Sequence, residues 1–386
     1  MKNVLFRAPV LTQSGYGVHA RQIARWLLSR SDINVSFQML NWGKTPWYIN
    51  RDDLGGLVGE IMQRSRPLDS CDVSFQLQLP NEWDVLLATK NVGITAAIET
   101  DRANPQWVTA CNNMDTVVFP SQHAKKSLDG SGNLTVSSLV IPEAYTSACC
   151  LETDSLPKIN DFNTSFNILV FGQITATDPT FDRKNTFNTI KWLCEEFKDN
   201  KDVGIVLKTN MGRNSKIDRK YTKSILNQVI SASRKRDFPR VYLVHGDMSD
   251  EEVVALYKNK SIKVMVSLTR GEGFGLPLLE AAACDLPIIA TNWSGHTEFL
   301  NRGKFIPIFY DLKQIPPNRV DNKLFISGAR WAEPNENDFK RRVKKFYNNP
   351  ATPREWATNL GKIIRTEYSQ KRIVSMYNEA FSEILT

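Results

Sequence analysis

The amino-acid sequence predicts an α/β protein made of two doubly wound parallel-sheet domains. Three observations carry this expectation. Short apolar, β-branched runs alternate with stretches of helical spacing along the chain, the pattern of parallel sheets covered by helices. The succession of strand, glycine-bearing loop and helix occurs twice, over 4–30 and over 262–284. A polar stretch without period, 146–164, separates the halves and reads as a linker.

The first half opens with a strand at 4–6 and a loop, 7–17, that ends Ser14-Gly15-Tyr16-Gly17. A helix is expected over 18–30, where Val18, Ile23, Trp26 and Leu27 fall at helical spacing. Strands follow at 34–40, 72–77, 92–98, 116–119 and 134–141. Ligands of doubly wound sheets collect at the carboxyl ends of the strands. Glu99 and Asp101 come directly after the strand at 92–98 and are candidates to grip a ligand hydroxyl. A surface loop that caps the next helix is the alternative. Ser121 suits a helix N-cap. His19 reads as a helix-face residue.

The second half begins with a strand at 166–172. Arg183 and Lys184 then precede a helix that runs to about residue 197. The helix dipole disfavours cations there, which points to an anion nearby. The strand at 203–209 brings Lys208 to its carboxyl end, and a basic helix, 218–234, follows. A strand at 242–246 leads through Gly246 to Asp247 and Met248.

The most informative run is Gly271-Glu272-Gly273-Phe274-Gly275-Leu276-Pro277, between a strand at 262–268 and an apolar helix that reaches Cys284. Alternating glycines suit a tight loop that lets a ligand approach the backbone. Pro277 fits the first turn of a helix. Strand, glycine loop and helix N-terminus together favour an anion. Glu272 and Glu280 do not suit a phosphate. An ionised carboxylate only accepts hydrogen bonds, so they suit hydroxyls. Anion donors beside hydroxyl acceptors describe a sugar joined to a nucleotide through phosphates.

Glu272 and Glu280, with seven residues between them that include Gly273-Phe274-Gly275-Leu276-Pro277, resemble the signature of the retaining glycosyltransferases of family 4. Their fold is GT-B: two Rossmann-like domains around an interdomain cleft. The resemblance implies that Glu272 contacts the donor sugar and Glu280 the ribose. The backbone of Gly273, Phe274, Gly275 and Leu276 would contact sugar and phosphates. Gly15 and Gly17 are similar to the family's N-terminal loop, which faces the donor phosphates, with Tyr16 against sugar or acceptor. The resemblance further implies Arg183 or Lys184, and Lys208, as cations for the diphosphate. Backbone groups near Gly246 and Met248 would read the base. Many family members carry a His where this chain has Glu99-Thr100-Asp101-Arg102. The implied domains are an acceptor-side domain, 1–155, and a nucleotide-sugar domain, 156–367, with a C-terminal helix of about 368–386 packing back on the first. Glu272, Lys208, Glu99 and Asp101 are the candidate catalytic residues.

Charge narrows the partners. The formal net charge is +8, and the segment 208–240 holds ten basic and two acidic residues, while the rest of the chain carries 39 of each. Such a run is ordinarily a solvated helix face; its other reading is a surface for a polyanion. The six cysteines form no CxxC pair, which argues against a disulfide framework or a zinc site. The four histidines show no metal-ligand spacing. No apolar run approaches the ~18–20 residues that span a membrane, and the first residues enter a strand without a signal-peptide pattern. A cytoplasmic enzyme without a metal is expected.

The expected reaction moves a sugar from a nucleotide-diphosphate donor, UDP-sugar foremost, to an acceptor hydroxyl with retention of anomeric configuration. Nothing beyond the donor substrate is required as cofactor. The acceptor is expected to be a saccharide or glycoside. Hydroxylated bases in phage-type DNA, such as hydroxymethylcytosine, are the alternative that the basic segment motivates. A nucleotide-sugar epimerase of the same fold is a rival, opposed by the Glu272/Glu280 pattern. A nucleic-acid-binding protein on an inactive scaffold is another, opposed by that pair together with Lys208, Gly15 and Gly17.

Overall fold

The computed structural model describes residues 1–159 and 162–386, so 160–161 of the expected linker lie outside the described residues. The chain divides into two units: Met1–Ala144 with Asp321–Ala329 and Gln370–Thr386, and Tyr145–Val320 with Arg330–Ser369.

Unit one runs β1 (Lys2–Ala8), α1 (Gly15–Leu28), β2 (Ile33–Met39), α2 (Leu57–Gln63), β3 (Val73–Leu77), β4 (Lys90–Ile94), α3 (Pro105–Asn112), β5 (Thr116–Phe119), α4 (Gln122–Asp129) and β6 (Ser137–Val140). Its strands pair in the order β2-β1-β3-β4-β5-β6, all parallel. That is the flavodoxin-like order with a further edge strand, and its switch point lies between β1 and β3.

Unit two runs β7 (Phe166–Phe171), α5 (Thr186–Glu196), β8 (Val203–Lys208), α6 (Lys216–Ser233), β9 (Arg240–Val244), α7 (Asp250–Tyr257), β10 (Ile262–Ser267), α8 (Leu276–Ala283), β11 (Ile288–Thr291), α9 (Thr297–Leu300) and β12 (Ile306–Ile308). An antiparallel pair, β13 (Tyr310–Gln314) and β14 (Arg330–Pro334), then leads to α10 (Glu336–Asn348) and α11 (Ala351–Glu367). The main sheet is parallel in the order β12-β11-β10-β7-β8-β9. Counted from β7, this is the Rossmann order, with the switch point between β7 and β10. Successive side chains of a strand face opposite ways. Ile168 and Val170 accordingly join one apolar cluster and Leu169 the other, and Val264, Val266 and Met265 divide in the same way. Burial on both faces is why these strands read as continuous apolar runs.

The closing helix α12 (Gln370–Leu385) belongs to unit one. Its Tyr377 packs on Trp26 at 4.8 Å between ring centroids, and Phe381 meets Phe75 edge-on at 5.3 Å. Trp26 Nε1 donates to Asn378 Oδ1 at 2.8 Å, which satisfies the indole in an apolar setting.

Several boundaries differ from expectation for local reasons. Helix α1 starts at Gly15, not at 18, because Ser14 Oγ accepts from the Gly17 N–H at 3.0 Å and so caps the helix one turn earlier. Strand β4 stops at Ile94, not at 98, since Ala97 takes a left-handed backbone with φ 51°. Glu99 and Asp101 therefore sit within a loop rather than directly at a strand end. Part of the expected linker is packed rather than solvated: Ala148, Cys149 and Leu156 bury in unit two, and Thr146 Oγ1 donates to Asp250 Oδ2 at 2.9 Å. Among the described residues, no helix is long and apolar enough to cross a membrane.

Candidate active site

The loops that leave β7 and β10 flank the switch point of unit two, where a doubly wound sheet opens a crevice. The β10 loop carries Glu272, which is 8% exposed. Lys184, from the β7 loop, donates through Nζ to both of its oxygens, at 2.6 and 2.8 Å. Arg183 Nη1 lies 3.5 Å from Glu272 Oε2 and donates to the Gly271 carbonyl at 2.6 Å. Burial by itself would raise the Glu272 pKa. The charges of Lys184 and Arg183 outweigh it and hold the carboxyl at about 2. Glu272 is thus an ionised, acceptor-only group at neutral pH.

The backbone around Glu272 needs its glycines. Gly275, the residue that caps α8, has φ 105°, and a Cβ there would lie 2.9 Å from His296 Cβ. A Cβ on Gly295 would come within 2.1 Å of the Gly273 carbonyl oxygen. This close turn also supports Glu272: its N–H donates to Ser294 Oγ at 2.8 Å, and the Gly295 N–H donates to the Glu272 carbonyl at 2.9 Å. His296 is buried and its Nε2 lies 2.7 Å from the Thr291 carbonyl, so that nitrogen carries the proton. Phe274 points into the core against Phe299, 5.3 Å away, which leaves only its backbone to a ligand. Leu276 opens α8, with Pro277 in the first turn.

Glu280 lies on α8 and is half-buried. The Tyr257 hydroxyl donates to its Oε2 at 3.4 Å. Burial, seconded by the charge of Asp250, pushes this carboxyl up to about 8 despite the Tyr257 hydrogen bond. The two glutamates of the motif are therefore shifted in opposite directions, Glu272 down and Glu280 up.

Two residues that sequence reasoning did not single out hold the β7 loop in place. Buried Asp182 accepts from the Thr175 N–H at 3.1 Å and hydroxyl at 2.8 Å, and from the Thr186 N–H at 2.7 Å. Arg270 donates to the carbonyls of Pro179 and Asp182, at 2.8 and 2.7 Å, and pairs with both oxygens of Glu333, at 2.8 and 3.0 Å. Asp182 carried a faint signal, a carboxylate just ahead of a helix start. Arg270 carried none, because its partner Glu333 is remote in sequence.

Lys208 ends β8, and the Gly172 N–H donates to its carbonyl at 3.1 Å, beside the root of the β7 loop. Its Nζ donates to the Gly246 carbonyl. Burial lowers the ammonium's pKa, and the nearby carboxylates of Asp247 and Glu252 oppose that. Gly246, just after β9, has φ 112°. The Met248 side chain packs on the unit-two core. The structure thus joins Arg183 and Lys184 to Glu272, and Lys208 to Gly246.

In unit one, Gly15, Tyr16 and Gly17 form the first turn of α1 rather than a free loop. A Cβ on Gly17 would lie 2.0 Å from the Thr12 carbonyl oxygen. Tyr16 stacks on Trp42 at 3.8 Å, lies 3.3 Å from Thr95 Oγ1 through its hydroxyl, and accepts from the Ala96 N–H at 3.1 Å. The hydroxyl is therefore committed to the loop after β4, the loop that also carries half-buried Glu99 and Asp101. His19 is buried on α1, 4.0 Å from Glu143, and burial lowers its pKa to about 3.

Residues 226–362 match the family of glycosyl transferases, group 1. The matched segment includes Gly246, Met248, the glycine loop and both glutamates, and begins after Arg183, Lys184 and Lys208. No curated protein sequence matches the chain. Among solved structures, a glycosyltransferase from Rickettsia africae ESF-5 is 14% identical with a TM-score of 0.66, over 100% of this chain and 99% of that one. Sucrose-phosphate synthase from Thermosynechococcus elongatus is 13% identical with a TM-score of 0.63, over 100% and 99%. Anabaena HepE, in complex with UDP and glucose, is 14% identical with a TM-score of 0.61, over 99% and 100%. At such identities the likeness is one of fold. With its two parallel-sheet units, the chain has the GT-B fold.

Proposed function

We propose that the protein transfers a sugar from a nucleoside-diphosphate donor, a UDP-sugar first, to an acceptor hydroxyl with retention of anomeric configuration. The observation that carries this reading is the contact of Lys184 and Arg183 with a buried, ionised Glu272 under the N-terminus of α8. A sugar diphosphate presents both things this arrangement can bind: hydroxyls for the carboxylate and an anion for the cations. On donor binding the diphosphate takes Lys184 and Arg183, and Glu272 turns its oxygens to the sugar hydroxyls. Lys208 and the N-terminus of α8 add to the anion site, and Glu280 meets the ribose. The nucleotide base lies along the backbone at Gly246 and Met248.

In the reaction, the bond between the anomeric carbon and the phosphate oxygen breaks, and its electron pair stays with the diphosphate. The acceptor oxygen bonds to the same face of that carbon, and its proton passes to the departing phosphate. Cations placed where negative charge develops stabilise this step electrostatically, and removing one such donor typically costs about 10²–10³ in rate. Protein cations neutralise the phosphates, so the reading calls for no metal or other cofactor. Glu99 and Asp101 are the candidates for holding the acceptor.

A saccharide or glycoside is the first acceptor to test. One observation favours a second, a hydroxylated base such as hydroxymethylcytosine in DNA: the basic residues in the first half of α6 face solvent with no carboxylate at ion-pair distance among the described residues. The test of the reaction is donor turnover, with UDP release as the readout, in Glu272→Ala and Lys208→Ala. Both should lose most turnover while keeping their circular dichroism. Full activity in both removes this site assignment.

A further inference from the structure

Helix α6 differs from the other strongly basic helix of unit two. On α10, Lys340 pairs with Glu195 and Glu336, Arg341 and Arg342 pair with Asp338, and Lys344 pairs with Glu196. Four of the five cations there are paired with carboxylates, Lys345 being the exception among the described residues. On and just before α6, Arg213, Lys216, Arg219, Lys220 and Lys223 are all exposed. Among the described residues, none of these five has a carboxylate within ion-pair distance. Asp218, the one acid within that stretch, is turned inward: it accepts from the N–H groups of Met211 and Arg213, both at 3.2 Å, and lies 2.7 Å from His245 Nε2. The arrangement is unfavourable for the helix itself. Cations crowd its positive end, and Lys216/Lys220 and Arg219/Lys223 are like-charge pairs one turn apart. Two large apolar side chains stand among them, Ile217 at 80% exposure and Tyr221 at 53%.

We propose that the amino-terminal half of α6 is a docking surface for the phosphodiester backbone of duplex DNA. The inference deepens the second acceptor reading above and rests on it. Unneutralised cations spaced along a helix match a strand that carries a phosphate every ~3.4 Å of rise. One exposed aromatic falls short of the stacking platforms that hold single strands. Two exposed apolar residues fall short of the apolar face with which a helix enters lipid. The surface also begins at the right place. Asp218 fastens the turn before α6 to His245, next to Gly246, so the cations start beside the strand end assigned to the nucleotide base.

The test uses the whole protein and a short fluorescently labelled duplex, with binding followed by anisotropy from about 50 to 200 mM salt. Neutralising up to five phosphates gives a log–log salt slope of about −4 to −5. The triple variant Lys216→Gln, Lys220→Gln, Lys223→Gln should lose about 2.7 of that slope, keep its circular dichroism and keep its thermal stabilisation by UDP. A wild-type protein that ignores the duplex, or a slope unchanged in the triple variant, overturns the proposal. So does tighter binding to phosphatidylserine vesicles or to heparin than to the duplex. Stabilisation by UDP without duplex binding defeats this proposal alone, and duplex binding without a nucleotide response defeats the donor reading alone.

Discussion

Replacing Glu272 by Gln keeps the shape of the side chain and removes its charge, and the cost can be worked out from the Lys184–Glu272 contact. The carboxyl sits at about 2 in the folded protein against 4.5 for the ordinary group, a difference worth about 3 kcal/mol. Because the folded value is depressed, this stability is fully present above 4.5 and is lost as the pH falls toward 2. The amide of the Glu272→Gln variant does not titrate. That variant also leaves Lys184 and Arg183 uncompensated, but the cost is the same at every pH in this window. Urea unfolding of both proteins, followed by tryptophan fluorescence at about pH 7, 5 and 3, separates the two effects. The stability gap should be nearly equal at the two higher values and smaller by about 2 kcal/mol at about pH 3. A gap that stays constant down to about pH 3 would refute the idea that the two cations hold this carboxylate ionised.

Gly295→Ala places a Cβ 2.1 Å from the Gly273 carbonyl oxygen, so the loop must shift. A destabilisation of about 1–3 kcal/mol is expected, together with loss of the thermal shift induced by UDP. An unchanged nucleotide response in a folded variant counts against the Gly273 backbone as part of the donor site. For Glu280 the sign is reversed. Its folded pKa of about 8 exceeds 4.5, so the folded chain keeps a proton that the unfolded chain releases, and stability falls as pH rises between those values. Glu280→Gln lacks this loss, and its advantage in Tm should grow across that window. An advantage that is flat with pH means the carboxyl titrates normally.

The sheets and the centre of the site were legible because local chemistry and global fold agree there. Strands buried on both faces show as unbroken apolar runs, as in Ile168-Leu169-Val170 and Val264-Met265-Val266. The glycine loop was legible because Gly275 answers to a backbone requirement that another residue would not meet. The misread ends have the opposite character. Ala96, Ala97 and Ile98 look like the tail of a strand, yet nothing in their side chains reports the left-handed turn at Ala97. Gly15 and Gly17 look like a loop, yet the Ser14 cap makes them helix. The β13–β14 pair and the Arg270–Glu333 tie depend on partners far apart in sequence, which no local pattern reveals. Even where the charges were foreseen, their pairing was not: Arg183 and Lys184 were assigned to a phosphate, whereas the structure also sets them against Glu272.

The return of the chain to unit one at α12 bears on biosynthesis. A ribosome delivers the first 144 residues early, but the rings that close over Trp26 and Phe75 arrive only with Tyr377 and Phe381. Until α12 arrives, the unit made first still shows an uncovered apolar face. The earliest part of the polypeptide thus waits for the last to cover it, and it is the part that a chaperone would need to shield during translation.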